Sequence, residues 1–266
     1  MSLLGAIAGD IIGSRFEWNR IKHKDFELFA PECRATDDSI MTLAIGKAIL
    51  ECGDDWEMLY YEAERCMHEV GKPYPYCGYG GGFFGWMYGK NPAPYNSFGN
   101  GAAMRVSAVA HAASSLQEAC EMSWEVTRVT HDHLEGIKGA EATTTAVYLA
   151  RTGVDKEEIR RVIHETYYPM DFTLDGIRPT YHFNETCQGT VPQALMAFFE
   201  STGYEDAIRN AVSLGGDSDT LAAITGGVAG AYYGVPDSIR ERALAYLDER
   251  LRAIFYAFEV KYPYAR

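Results

Sequence analysis

The chain has 266 residues, of which 47% are hydrophobic and 23% charged, the balance of a globular protein that buries a sizeable core. Asp and Glu outnumber Lys and Arg by 37 to 24, and the formal net charge of −13 argues against a broad electrostatic footprint on nucleic acid or on an anionic membrane. Six cysteines lie far apart with no C-x-x-C pair, which argues against a zinc knuckle or a disulfide scaffold and reads as reduced thiols in a cytoplasmic protein.

The first apolar stretch, GAIAGDIIG, is interrupted by Asp10 and lacks a basic flank, so it predicts a first helix and not a signal peptide. Glu17 follows in GSRFEW as a lone acid, whose usual setting is the solvated surface. Next, the cluster Thr36-Asp37-Asp38-Ser39 precedes residues 40–50, which are apolar or small nearly all round and predict a helix enclosed by others. Residues 70–117 contain no Asp or Glu, and their only permanent charges are Lys72, Lys90 and Arg105. Within that window, GYGGGFFGWMYG from Gly78 and SFGNGAAMR from Ser97 combine glycines with aromatic residues.

THDH, at Thr130 to His133, caps a helix predicted over residues 134–151. The cluster Asp217-Ser218-Asp219-Thr220 precedes residues 221–233, an uncharged segment too short for the roughly 20 residues that span a bilayer. Its glycines Gly226, Gly227, Gly230 and Gly234 would admit close neighbouring backbones, so packing must offset their poor helix propensity. Finally, Leu244, Leu247, Leu251, Ile254, Phe255 and Phe258 mark the inward stripe of one helix beginning near Pro236-Asp237. Alternating β-branched runs are few, and there is no repeat, low-complexity tract or linker. The expectation is an all-α fold in one compact multi-helix domain over residues 1–266, with two buried central helices wrapped by amphipathic ones.

Each acidic cluster stands at the mouth of an apolar helix, where one side chain suffices as a cap. Two carboxylates and two hydroxyls at each mouth exceed that need and would be costly to desolvate without a cation. Four carboxylates with hydroxyls and water make hard oxygen donors, suited to two divalent ions of magnesium or manganese, provided the two mouths meet. The acid-free window offers backbone amides to phosphates and aromatic faces to a base, which suggests a nucleotide diphosphate. The Gly-x-x-x-x-Gly-Lys-Ser/Thr phosphate loop is absent, as is a Gly-x-Ser-x-Gly nucleophile elbow. A metal-dependent phosphohydrolase acting on a nucleotide or other diphosphate is the alternative. Against it, Asp37 to Met41 reads DDSIM without the third acid of a D-D-x-x-D motif, and a His-Asp metal site around His131 and His133 needs further ligands.

Taken together, GAIAGDIIGSRFE (residues 5–17), TDDS (36–39), FGNGAAMR (98–105), THDH (130–133), TVPQAL (190–195) and SLGGDSDTLAAITGGVAGAYYG (213–234) resemble the ADP-ribosylglycohydrolase family over nearly the whole chain. The resemblance implies two magnesium or manganese ions held by Thr36, Asp37, Asp38, Asp217, Asp219 and Thr220 against the hydroxyls of the distal ribose. Glu17 would sit on a mobile segment near the scissile bond, with Asp37 and Asp219 also catalytic. Substrate contacts would come from the 78–82 loop including Gly80 and Gly81, from Gly99, Asn100 and Gly101, and from His131. The partner implied is an ADP-ribosylated protein or a small ADP-ribosyl conjugate. Arginine-directed members of that family carry a further acid on a loop near the ribose, and the corresponding region here falls in the acid-free window, which leaves arginine, serine, acetyl and other linkages open.

Overall fold

The structure is a computed structural model that describes residues 3–263 apart from 54 and 91. In chain order the helices are α1 (Leu4–Gly13), α2 (Asp37–Cys52), α3 (Leu59–Gly71), α4 (Gly81–Tyr88), α5 (Gly101–Met104), α6 (Ser107–Ala112), α7 (Leu116–Arg128), α8 (Leu134–Arg151), α9 (Lys156–Thr166), α10 (Leu174–Ile177), α11 (Cys187–Phe199), α12 (Tyr204–Val212), α13 (Ser218–Tyr233), α14 (Asp237–Ala245) and α15 (Glu249–Lys261). Among the described residues the only strand-like pairing is an isolated bridge between Gly99 and Thr186, so the all-α expectation holds. All six cysteines are free thiols, and no described helix is long and apolar enough to cross a membrane.

The predicted pair of central helices becomes three. All ten residues of α1 are buried. Gly5, Gly9 and Gly13 recur every fourth residue and so share one face. A Cβ on any of them would overlap a backbone carbonyl of α13, at Gly226, Ala222 and Ser218 respectively, and a Cβ on Gly226 would in turn overlap the Gly5 carbonyl. The two helices therefore touch backbone to backbone. The glycines noted in α13 had their counterpart in the ten residues of α1. Around this pair, α13 packs on α8, α11 and α12, and α2 packs on α3, α6 and α15.

The helix predicted to run from Pro236 through Phe258 is two helices. Asp248 accepts the Leu251 amide at 2.9 Å as the N-cap of α15, while the Tyr246 amide closes α14 on the carbonyls of Ala243 and Leu244. A side chain that bonds its own backbone competes with helix continuation. Leu244, Leu247, Leu251, Phe255 and Phe258 are nevertheless all buried across the break. The hydrophobic period survived where the helix did not.

Candidate active site

The mouths of α2 and α13 meet. The Thr220 hydroxyl of α13 donates to Asp38 of α2 at 3.2 Å. Thr36 caps α2 by accepting the Asp38 amide at 3.2 Å, which leaves Asp37 and Asp38 in excess of the capping need. Asp217 occupies the N-cap position of α13 but caps nothing with its side chain, and it accepts the Asn100 amide nitrogen at 2.7 Å instead. Carboxylate oxygens of Asp10, Asp38 and Asp219 lie within 4.8 Å of one another, as do those of Glu17, Asp217 and Asp219, so Asp219 belongs to both groups.

This crowding has an electrostatic signature. Burial, and then the charges of Asp10 and Asp217, push the Asp37 carboxyl up to about 8. Burial, and then Asp217, push Glu17 up to about 7, against a small opposing effect of Arg34, whose guanidinium stands 3.9 Å away and half-exposed. Asp38 and Asp219 are held well above the usual carboxylate range, by burial first and neighbouring acids second. Asp38 Oδ1 is buried and has no hydrogen-bond partner. An acid cluster with an orphaned oxygen and all-oxygen donors fits a hard cation. These acidic groups are able to hold metal ions.

Asp10 had no place in the sequence reading beyond interrupting the apolar start. It is fully buried inside α1 and is the acceptor for the Thr36 amide (3.0 Å), the Thr36 hydroxyl (2.6 Å), the Ser39 amide (3.1 Å) and the Ser39 hydroxyl. These bonds fix the TDDS turn. Thr36 itself lies behind the cleft with its hydroxyl turned to Asp10 and Asp38.

The opposite wall comes from the acid-free window. Gly80 is the N-cap of α4, and an added Cβ at Gly80 or Gly81 would meet no protein atom within 4 Å, so both backbones face open cleft. Gly78, with φ +128, lies against Asp37, where a Cβ would approach the carboxylate to 2.7 Å. The turn through Gly99, Asn100 and Gly101 is pinned from behind, since Asn100 N donates to the Glu185 carbonyl at 2.7 Å and Cys187 N to the Phe98 carbonyl at 2.9 Å. Asn100 thus bridges the walls: its backbone belongs to this turn and its side chain grips Asp217. Arg105 lies under this wall, completely buried with no ion pair to any described carboxylate, and burial pushes it down to about 10.

Glu17, Asp37, Asp38, Asp217, Asp219, Thr220, Gly80, Gly81, Gly99, Asn100, Gly101 and His131 all line one cleft. His133 is separate from them: its Nδ1 accepts the Glu135 amide at 3.0 Å as the N-cap of α8, which spans the predicted residues 134–151. No group of metal-ligating side chains among the described residues contains a histidine, so a His-Asp phosphohydrolase centre does not form. The sequence reading also missed Glu185, an exposed acid at the cleft beside Asp217 that lies outside the window where a further acid was sought.

A family model described as ADP-ribosylglycohydrolase matches residues 1–260. Human ADP-ribosylhydrolase ARH3 (Homo sapiens) is 27% identical, with 94% of this chain and 90% of that protein aligned. The ADP-ribosyl-[dinitrogen reductase] glycohydrolase of Rhodospirillum rubrum is 27% identical over 76% of this chain and 70% of its own. An ADP-ribosylarginine hydrolase, Tri1 of Pseudomonas putida (strain GB-1), is 30% identical over 57% of this chain and 42% of its own. Among solved structures, an ADP-ribosylglycohydrolase-related protein complex shares the fold with a TM-score of 0.65, at 23% identity and covering 97% of this chain and 96% of that one.

Proposed function

The chain belongs to the ADP-ribosylglycohydrolase family, and from that premise we propose that it is a hydrolase that cleaves the glycosidic bond between ADP-ribose and an acceptor. The phosphohydrolase alternative falls with this membership. The observation that carries the reading is the cleft itself, in which two crowded acidic helix mouths face a glycine turn and a helix N-terminus whose own residues include no acid, Glu185 standing exposed beside them.

In this proposal Asp37, Asp38, Asp217, Asp219 and Thr220, supported by Thr36 from behind, hold two divalent cations, magnesium or manganese. Such ions, when bound, neutralise the carboxylates and orient ribose hydroxyls. The residues do the remainder. Bond breaking at the anomeric carbon develops oxocarbenium character, which the carboxylate of Glu17, outside the proposed ligand set, is placed to stabilise. Glu17 stands at the edge of the carboxylate group, partly open to the cleft, where it can take a proton from an attacking water. The amides around Gly80 and Gly81 at the start of α4, with that of Gly101, receive the diphosphate, and Asn100 holds Asp217 in place while they do so. The acceptor is a protein side chain or a small conjugate, and a cytoplasmic setting suits its free thiols.

The test is release of free ADP-ribose from arginine-, serine- and acetyl-linked substrates with Mg²⁺ or Mn²⁺, using wild type, Asp37→Asn and Asp219→Asn. Wild type is expected to release ADP-ribose from at least one linkage and both variants to lose that activity. Unchanged activity in both variants would remove the metal mechanism, and inorganic phosphate as product would restore the phosphohydrolase.

A further inference from the structure

His131 is 4% exposed and lies in the acid-free wall, yet the geometry behind it is more specific than a ligand contact requires. Thr130 Oγ1 is fully buried and stands 2.7 Å from Arg105 Nη2 and 2.6 Å from His131 Nδ1. A guanidinium has donors only, so Thr130 accepts from Arg105. Its single hydroxyl hydrogen finds no acceptor among the described residues other than His131 Nδ1, 2.6 Å away, and donating there uses a lone pair on Nδ1. Arg105 Nη2 also stands 3.5 Å from Nδ1, a donor-only group that an Nδ1–H would face and a lone pair would accept. The neutral ring therefore carries its proton on Nε2. That atom points to the glycine turn: Cβ positions built on Gly101 and Gly99 would lie 3.4 and 3.5 Å from it. The backbone holds the arrangement, because the amides of Thr130 and His131 both donate to the Thr127 carbonyl and the Thr130 carbonyl accepts from Tyr95.

We propose that Arg105 and Thr130 are positioning residues that fix His131 in the Nε2–H tautomer, so that the cleft offers one directed donor to a phosphate or ribose oxygen of its ligand. The ligand part of this statement rests on the ADP-ribose reading above. Burial and the Arg105 charge act in the same sense, since both keep the imidazole uncharged. A neutral donor beside a buried cation adds direction to the charge beneath it.

Long-range ¹H–¹⁵N correlation spectra of ligand-free protein labelled at histidine nitrogen read the tautomer directly, with His131→Asn identifying the resonance. Wild type at pH 7 is expected to show Nε2–H, Thr130→Ser to keep it, and Thr130→Val to populate Nδ1–H. The dissociation constant of ADP-ribose by calorimetry should rise about tenfold in Thr130→Val and stay within about twofold of wild type in Thr130→Ser, the size of one lost hydrogen bond. A wild-type ring protonated on Nδ1 overturns the proposal, as does a Thr130→Val protein with the wild-type tautomer and affinity. If Thr130→Val does not fold, the wild-type and Thr130→Ser spectra decide alone. Wild type that shows Nε2–H but does not bind ADP-ribose overturns the ADP-ribose reading and leaves the tautomer standing.

Discussion

On one wall of the cleft Glu17, Asp37, Asp38, Asp217 and Asp219 crowd together with a single half-exposed arginine at their edge, while on the other the glycine turns bring no carboxylate and rest on a buried arginine. Neither wall finds its counter-charge in the protein. In the proposed function each is completed from outside, the first by cations and the second by an anion, and the net charge of −13 describes neither. In that proposed function the labour is divided: the acidic wall faces the reacting carbon, and the glycine wall faces the part of the ligand that does not change.

The largest expected effect tests that division. Asp219→Asn and Asp37→Asn should lower kcat by roughly 10²–10³-fold in ADP-ribose release assays, in the range of losing a group that stabilises the transition state. A loss confined to KM would show that both walls merely bind.

Removing metal is the next test. A carboxyl raised in the folded state is protonated there at a pH where the unfolded chain has already ionised, so metal-free stability falls as pH climbs from the ordinary range near 4 toward about 7 for Glu17 and about 8 for Asp37. His131 has the opposite sign, since its depressed basicity costs stability only as pH falls below 6.5. With chelator present, Tm by scanning fluorimetry should drop between pH 6 and pH 8, and Mn²⁺ should restore most at pH 8. A flat chelated profile would mean that the acids are not mutually repelling.

Asp10→Asn should come third. It leaves every cleft-lining acid in place but loosens the turn carrying Thr36 and Asp38, and a weakened supporting bond of this kind costs about 10–100-fold in metal affinity. Calorimetric titration with Mn²⁺ measures it. The smallest effect belongs to Gly80→Ala or Gly81→Ala, whose methyl meets no protein atom within 4 Å. Tm should stay unchanged while KM rises several-fold and kcat holds, within the roughly 1–3 kcal/mol that overpacking costs. A kcat loss here would blur the two walls.

Much of this was legible beforehand because TDDS and DSDT carry more oxygen than a helix start can use, and because an acid-free window is visible in so acidic a chain. The limits are equally physical. Asp10 is one acid on an apolar helix, and without a second acid at a helical spacing its bonds to Thr36 and Ser39 leave no local trace. Glu185 reaches the cleft only because residues 184–187 are tied to the Phe98–Asn100 turn, a contact across some ninety positions. The break at Tyr246 to Asp248 was masked by an apolar stripe that continues through it.

The backbone contact between α1 and α13 bears on how the molecule is assembled. Residues 5–13 are synthesised well before residues 218–230, and their glycine face has no partner until these exist. Asp10 rides on the same helix, so the acidic wall stays incomplete until α13 has been made. A nascent chain truncated before residue 217 would hold Thr36 to Ser39 without the second helix mouth, and affinity for divalent ions should arise in a single step, when α13 docks on α1.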